Sequence, residues 1–243
     1  MKVLAIGNSF SQDATRYLKG IAHADGVDMK VVNLYIGGCP LRRHYINALE
    51  DKKDYSLEFA GETTGFYVSI KEALISDEWD VVTLQQASRY SISYDTYQPY
   101  LTFLAEYVRK YSPKAKLLIH ETWAYEDGSS RLCEVLGYAN RQEMLSDIKE
   151  AYQLAAQAIH ADGIIPSGEV LNAMLDAGIP TVHRDSYHVS YGLGRYALGL
   201  TWYAALTGMD VTQNSFSALD EAADWEHLQI TRTCVSQLVN KQI

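Results

Sequence analysis

The stretch Val3-Leu4-Ala5-Ile6-Gly7-Asn8-Ser9-Phe10-Ser11 decides the fold, because a short apolar run passes through a glycine directly into polar residues. Four consecutive apolar residues bounded by turn formers are typical of a strand that is buried on both faces. In parallel α/β sheets, ligands bind beyond the carboxyl ends of such strands. The stretch therefore predicts a buried first strand with a candidate functional hydroxyl, that of Ser9, directly after it.

Similar apolar runs alternate with segments of helical periodicity along the rest of the chain. The runs predict strands at residues 3–6, 29–35, 81–84, 117–119 and 163–165. The periodic segments predict helices at residues 12–24, 67–77, 96–111, 140–160, 167–177, 190–207 and 217–238. This alternation predicts an α/β protein with a parallel central sheet and helices on its faces.

No linker or internal repeat divides the chain, so we expect one domain over residues 1–243. The stretch from 55 to 65 contains two glycines between β-prone residues, which predicts a small hairpin or loop excursion rather than a second domain.

Charge and hydropathy exclude several classes of protein. The 21 Lys and Arg against 30 Asp and Glu give a formal charge of −9, so a nucleic acid would meet a repulsive surface. No window approaches the roughly 20 apolar residues of a membrane span. No signal-peptide pattern stands at the start of the sequence, and we expect a cytoplasmic protein. The three cysteines are widely spaced and form no CxxC pair, so we expect reduced thiols, no metal and no other cofactor.

Polar residues follow several of the predicted strands. Ser9 is a candidate nucleophile, although Ser9 or Ser11 could instead cap the following helix. Gly38, after the second strand, could let a backbone N–H approach a ligand. After the third strand, Gln85 and Gln86 could each donate a hydrogen bond to an oxyanion.

Near the end of the chain, Asp185-Ser186-Tyr187-His188 places a carboxylate three residues before an imidazole. The carboxylate can accept the Nδ1–H of His188 and leave Nε2 free to serve as a base for a serine. The four segments together predict a serine hydrolase site at one edge of the sheet.

These motifs resemble those of the SGNH hydrolases, also called GDSL-like esterases. Gly7-Asn8-Ser9 is similar to their first block with Asn in place of the usual Asp, Gly38 falls where their second-block glycine would, and Asp185-x-x-His188 matches their last block. The third block, Gly-x-Asn-Asp in that family, is replaced here by Leu84-Gln85-Gln86-Ala87-Ser88. The whole pattern resembles a bacterial branch of unknown function.

The resemblance implies a three-layer α/β/α sandwich with a central parallel five-stranded sheet, of the flavodoxin-like type. It also implies that Ser9, His188 and Asp185 form a catalytic triad. The oxyanion hole would then use the N–H groups of Ser9 and Gly38, together with the carboxamide of Gln85 or, failing that, Gln86.

The substrate is expected to be a small-molecule or oligosaccharide ester, most simply an O-acetylated and neutral carbohydrate, which some relatives of this branch hydrolyse. Tyrosine accounts for 18 of the 27 aromatic residues, and its ring and hydroxyl suit sugars. Tyr90 and Tyr94 follow the third predicted strand, and Tyr187 and Tyr191 flank His188, so we expect Tyr90, Tyr94 and Tyr187 to contact substrate. Trp123, after the fourth strand, could form the floor of a sugar subsite, whereas the tyrosines of the helix at 96–111 could simply pack on the sheet.

Three other interpretations stay open from the sequence. A carbohydrate-binding or sensor module could keep the hydrolase fold without turnover, as the altered third block allows. A metal-dependent hydrolase could use His183, Asp185 and His188, although their spacing matches no familiar ligand motif. Cys39 could be the nucleophile, although no partner for it is indicated.

Overall fold

A seven-stranded sheet forms the centre of the protein in a computed structural model that describes residues 1–239; the last four residues of the predicted domain, 240–243, lie outside the described residues. The strands are β1 (Lys2–Gly7), β2 (Lys30–Tyr35), β3 (Tyr55–Phe59), β4 (Glu62–Val68), β5 (Val81–Leu84), β6 (Lys116–His120) and β7 (Gly163–Ile165). Their order across the sheet is β4-β3-β2-β1-β5-β6-β7.

The five predicted strands form the parallel part of this sheet, β2-β1-β5-β6-β7. Taken among themselves, these five have the order 2-1-3-4-5 of flavodoxin-like folds, which confirms the predicted fold class. The predicted number of strands was wrong. The excursion at 55–65 is the antiparallel hairpin β3-β4, which pairs with β2 and extends the sheet. Strand β4 is exposed along almost its whole length, so no burial pattern in the sequence marks it as part of the sheet.

Nine helices within residues 1–239 cover the sheet. They are α1 (Ser9–Thr15), α2 (Leu18–Ala24), α3 (Leu41–Leu49), α4 (Ile70–Ile75), α5 (Tyr100–Tyr111), α6 (Arg141–Ala158), α7 (Ser167–Asp176), α8 (Leu193–Thr207) and α9 (Trp225–Val239). The predicted helix at 12–24 is in fact the pair α1 and α2. Helix α3 was not predicted, and α9 begins eight residues later than expected.

Alternation along β1 explains the three layers. Val3 and Ala5 face a core shared with α1, α2, α7, α8 and α9, whereas Leu4 and Ile6 face a core shared with α3, α4, α5 and α6. A strand whose successive side chains enter two different cores is apolar at every position, which is the pattern of Val3 to Ile6. No helix within residues 1–239 is long and apolar enough to cross a membrane.

Candidate active site

Ser9 is the first residue of α1 and follows β1 by one residue. The residue between them, Asn8, caps the helix, because its side-chain oxygen accepts a hydrogen bond from the N–H of Phe10 at 3.0 Å. Ser11 is buried and hydrogen-bonded to Asn33 at 2.7 Å, so neither serine caps the helix. The capping role of Asn8 leaves the hydroxyl of Ser9, which is half-buried, available for other contacts.

That hydroxyl begins a continuous chain of hydrogen bonds with two of the predicted partners. Ser9 Oγ lies 2.8 Å from Nε2 of His188, and Nδ1 of His188 lies 2.8 Å from Oδ2 of Asp185. The other carboxylate oxygen of Asp185 accepts the backbone N–H of His188 at 2.7 Å. Because Nδ1 donates to the carboxylate, Nε2 of the neutral ring presents its lone pair to Ser9.

The carboxylate of Asp185 is held in its charged form. Burial by itself raises the pKa of Asp185, but the hydrogen bonds and the charge of His188 outweigh it, so the pKa lies below its usual value. Asp185 is therefore ionised at neutral pH, where it can stabilise an imidazolium.

The loop that carries Asp185 and His188 is anchored to α1 by a buried carboxylate. Asp13 is fully buried and accepts hydrogen bonds from Arg184 at 2.9 Å and from Arg195 at 2.8 Å. The backbone N–H of Arg184 also donates to the carbonyl of His188 at 2.9 Å. The position of the imidazole relative to α1, and hence to Ser9, thus depends on this ion-pair cluster.

Trp123 is a second anchor of the same loop rather than a substrate contact. Its ring is 1% exposed and stacks on Phe10 with a centroid distance of 3.8 Å, and its Nε1–H donates to the carbonyl of Tyr187 at 2.7 Å. The expectation that Trp123 forms the floor of a sugar subsite is therefore wrong, because Phe10 and the loop cover the ring.

Gln85 also lies beneath the site instead of facing it. The side chain is 1% exposed; its Nε2 donates to Oδ1 of Asn8 at 2.8 Å, and its Oε1 lies 2.9 Å from Nδ1 of His120. Burial lowers the pKa of His120 to about 3, so the ring is neutral, donates from Nδ1 to Gln85 and accepts at Nε2 from Ser167 at 3.0 Å. The geometry differs from the expectation of an exposed oxyanion donor.

Gln86 is occupied as well. Its Oε1 accepts the N–H groups of Leu41 at 3.0 Å and Ala87 at 2.9 Å, and its Nε2 donates to the carbonyl of Thr96 at 3.0 Å. Both carboxamides predicted for the oxyanion hole are therefore hydrogen-bonded to other groups, and neither is directed at Ser9.

Gly38 does line the same cavity as Ser9. It has a φ of +59°, which favours glycine, and its N–H has no acceptor among the described residues. The loop that contains Gly38 is attached to the start of α1 through Asn8, whose Nδ2 donates to the carbonyl of Cys39 at 3.2 Å. The thiol of Cys39 is fully buried, and burial raises its pKa to about 12, so it is not a thiolate nucleophile at neutral pH.

An open cavity of about 840 Å³ adjoins Ser9 and His188. Its wall contains aromatic, small and basic residues, namely Asn8, Ser9, Phe10, Tyr35, Gly37, Gly38, Ala87, Ser88, Arg89, Tyr125, Arg131, Val135, Leu136, Tyr187 and His188. A second cavity of about 530 Å³ shares Tyr35 and Gly37 with the first.

Of the tyrosines predicted to bind substrate, Tyr187 alone lines this cavity. Tyr90 lines a separate cavity of about 480 Å³ beside α3 and α5. Tyr94 packs on Tyr97 with a centroid distance of 6.1 Å. Tyr191 lies between the guanidiniums of Arg184 and Arg195, each 4.4 Å from its ring centroid.

The wall residues that sequence reasoning missed include Tyr35, Arg89, Tyr125 and Arg131. Tyr35 ends β2 and Arg89 follows β5 by five residues, so the rule that sites lie at strand ends could have found both. Tyr125 and Arg131 belong to a long irregular segment between β6 and α6, where no periodic pattern shows which side chains turn inwards.

The residues proposed for a metal site do not converge. Nε2 of His183 lies 3.2 Å from the carbonyl of Ala124, away from the triad. Within residues 1–239, no group of three or more His, Cys, Asp or Glu side chains is arranged to hold a metal ion.

Comparison with known proteins assigns the chain to a family. A model of the family described as "Domain of unknown function (DUF4886)" matches residues 2–236. The chain belongs to the DUF4886 family. A crystal structure of a DUF4886 family protein from Bacteroides uniformis is 35% identical to it, with a TM-score of 0.89, and the match covers 98% of this chain and 93% of that one.

More distant structures share the fold. A candidate SGNH hydrolase from Slackia heliotrinireducens is 23% identical with a TM-score of 0.59, over 84% of this chain and 97% of that one. An acetylxylan esterase from Geobacillus stearothermophilus is 15% identical with a TM-score of 0.52, over 89% of this chain and 94% of that one. This DUF4886 chain therefore has the fold of the SGNH hydrolases, in agreement with the resemblance of its motifs. No curated protein matches the chain.

Proposed function

We propose that the protein is a serine esterase that removes an O-acetyl group from a carbohydrate. The observation that carries the proposal is the unbroken chain of hydrogen bonds from Ser9 through His188 to Asp185 at the wall of an open cavity. A hydroxyl, a correctly oriented imidazole and an ionised carboxylate in this order are the groups that acyl transfer through a serine requires.

In the first half of the reaction, Ser9 Oγ attacks the carbonyl carbon of the ester while Nε2 of His188 takes the hydroxyl proton. Asp185, ionised because its pKa is lowered, stabilises the imidazolium that results. The tetrahedral intermediate then expels the sugar alkoxide, which takes the proton from His188. The acetyl group remains on Ser9.

In the second half, His188 takes a proton from water, and the hydroxide formed attacks the acetyl carbon on Ser9. Collapse of this second intermediate breaks the bond to Ser9 Oγ, which recovers its proton from His188. Acetate leaves, and the triad returns to its starting state.

The oxyanion hole in this proposal uses backbone donors, namely the N–H groups of Ser9 and Gly38. Ser9 is in the first turn of α1, where helix N–H groups have no intrahelical acceptor, and Gly38 has no acceptor among the described residues. Gln85 is a positioning residue, because it holds Asn8, which in turn holds the carbonyl of Cys39 and hence the loop of Gly38.

The lining of the main cavity supports a polar substrate. Tyr35, Tyr125 and Tyr187 place aromatic surface and hydroxyls at the cavity wall, which suits packing and hydrogen bonding to a sugar. The second cavity, which shares Tyr35 and Gly37 with the first, is lined by polar and acidic side chains, namely those of Gln12, Asp54, Ser56, Glu58 and Thr63. An acyl tunnel of a lipase would instead be lined mainly by aliphatic residues.

The test compares wild type with Ser9→Ala on p-nitrophenyl acetate and on acetylated sugars. We expect Ser9→Ala to fold normally and kcat to fall at least about 10³-fold. Ser146→Ala, on an exposed surface of α6, is the matched control and should keep full activity. Sugar binding by wild type without any hydrolysis dependent on Ser9 would favour the non-catalytic sugar-binding or sensor module instead.

A further inference from the structure

The wall of the main cavity is basic, although the chain as a whole is acidic. The formal charge of the protein is −9, yet the residues that line this cavity include two arginines, Arg89 and Arg131, and no aspartate or glutamate. Overall charge therefore does not describe what a substrate meets at this site.

These two arginines also lack the partners that most other arginines have. The sequence contains ten arginines. Seven of them bond to carboxylates, carbonyls or a hydroxyl, namely Arg16, Arg43, Arg109, Arg141, Arg184, Arg195 and Arg232. Among the described residues, no hydrogen bond or ion pair engages the guanidiniums of Arg89, Arg131 and Arg42, and Arg42 lines a different cavity.

Both guanidiniums of the main cavity rest on tyrosine rings. That of Arg131 lies 4.2 Å from the ring centroid of Tyr187, and that of Arg89 lies 4.6 Å from the ring centroid of Tyr90. A cation over an aromatic ring is oriented by it, while its N–H donors remain free for a planar anion.

The two cations line the same cavity as Ser9 and His188. The ring of Tyr187, on which Arg131 lies, is 4.0 Å from the ring of His188 by centroids. Tyr125, whose hydroxyl lies 2.9 Å from Ser88 Oγ, lines this cavity as well. Burial raises the pKa of Tyr125, and the bond to Ser88 and the charges of Arg131 and Arg89 oppose this rise.

We propose that the substrate is an anionic ester in which the sugar carries a carboxylate, as in a uronic acid, and that Arg89 and Arg131 bind this carboxylate. An acetyl group has no charge of its own, so the anion must belong to the alcohol portion. Guanidinium groups pair with carboxylates through two parallel hydrogen bonds, which orients as well as binds. This inference rests on the proposed function, and it replaces the neutral sugar expected from overall charge.

The experiment uses two mono-O-acetylated methyl glycosides, one of galacturonic acid and one of galactose, which differ in a carboxylate against a hydroxymethyl group. We expect wild type to prefer the uronate by about tenfold or more in kcat/KM at low salt, with a smaller preference at high salt because the arginines are exposed. In Arg89→Gln and Arg131→Gln the preference should shrink, and in the double variant it should vanish. Arg42→Gln is the matched control and should keep the wild-type preference. Because each ratio compares two substrates in one variant, a general loss of activity cancels.

Equal kcat/KM for the two esters in wild type, or a preference that survives in the double variant, would overturn the inference and leave the esterase intact. The opposite case is that the protein hydrolyses no acetyl ester although the anionic site exists. Calorimetry of the two unacetylated glycosides binding to Ser9→Ala tests the anionic site in that case. Preferential binding of the uronate that disappears in the arginine variants supports the anionic site even if no acetyl ester is hydrolysed. Equal binding of both glycosides counts against it.

Discussion

Two hydrogen-bonded rows of polar side chains meet at the carboxyl edge of the sheet, and they differ in depth. The open row consists of Ser9, His188 and Asp185 and borders the cavity. The buried row consists of Gln85, His120 and Ser167, of which none is more than 1% exposed. Both rows are continuous, with hydrogen bonds of 2.8 Å in the open row and 2.9 to 3.0 Å in the buried one.

Asn8 connects the two rows, since it precedes Ser9 and accepts a hydrogen bond from Gln85. In the proposed reaction the open row exchanges protons with a substrate, whereas the buried row holds its neighbours in place, because its side chains are at most 1% exposed. Position after a strand therefore brings a side chain to the functional edge, and the elements that cover it decide which of the two roles it has.

The largest expected effect is in the open row. Asp185→Asn should lower kcat by about 10⁴-fold, because an amide can donate to Nδ1 of His188 and thereby favour the tautomer that has no lone pair towards Ser9. Steady-state kinetics with an acetyl ester measures this loss, and circular dichroism shows whether the variant folds. A loss below about tenfold in a folded variant would separate Asp185 from the proposed triad.

A large effect on stability is expected from the carboxyl group next to the buried row, that of Glu121. Burial, followed by the charge of Glu169, raises the pKa of Glu121 from 4.5 to about 8. The folded state therefore retains a proton that the unfolded state releases above pH 4.5, so the contribution of this group to stability falls as pH rises from 4.5 to about 8. Glu121→Gln removes this dependence.

Denaturant unfolding at about pH 5 and about pH 7.5 tests whether the contribution of Glu121 to stability falls as pH rises. We expect the free energy of unfolding of Glu121→Gln minus that of wild type to be roughly 3 kcal/mol larger at the higher pH, because only wild type loses stability as pH rises. The same difference in unfolding free energy between variant and wild type at both pH values would mean that the pKa of Glu121 is not raised. Ser146→Ala serves as the control whose difference from wild type does not vary with pH.

Removing the link between the rows is expected to have a smaller effect on catalysis. Gln85→Ala leaves Oδ1 of Asn8 without its donor from Gln85, and we expect kcat to fall by about 10²-fold while KM changes little. If Gln85 acts through Asn8, the double variant with Asn8→Ala should be no worse than the poorer single variant. Losses that multiply would assign Gln85 a separate role, such as the direct oxyanion donor expected from the sequence.

The same difference in depth explains what could be predicted from the sequence. The parallel strands are local apolar runs, so all five were found, and Ser9, Asp185 and His188 belong to short motifs. The burial of Gln85 and Trp123 is a long-range property, since it depends on Asn8, Phe10 and the loop at 185–188. Strand β4 and Arg131 carry no periodic signal at all, because one is exposed at a sheet edge and the other belongs to an irregular segment with a single π-helical turn at Arg131–Val135.

The smallest expected effect separates the tyrosines of the cavity from those outside it. Tyr90→Ala and Tyr94→Ala should change kcat/KM for a neutral acetylated sugar by less than about twofold, because neither ring lines the main cavity and the ring of Tyr90 contacts Arg89, which is proposed to bind a carboxylate. Tyr187→Ala should raise KM by about tenfold, since its ring lies between the guanidinium of Arg131 and the ring of His188. Comparable increases of KM in all three variants would mean that bound substrate extends past Arg89 into the cavity beside α3 and α5, as the sequence alone suggested for Tyr90.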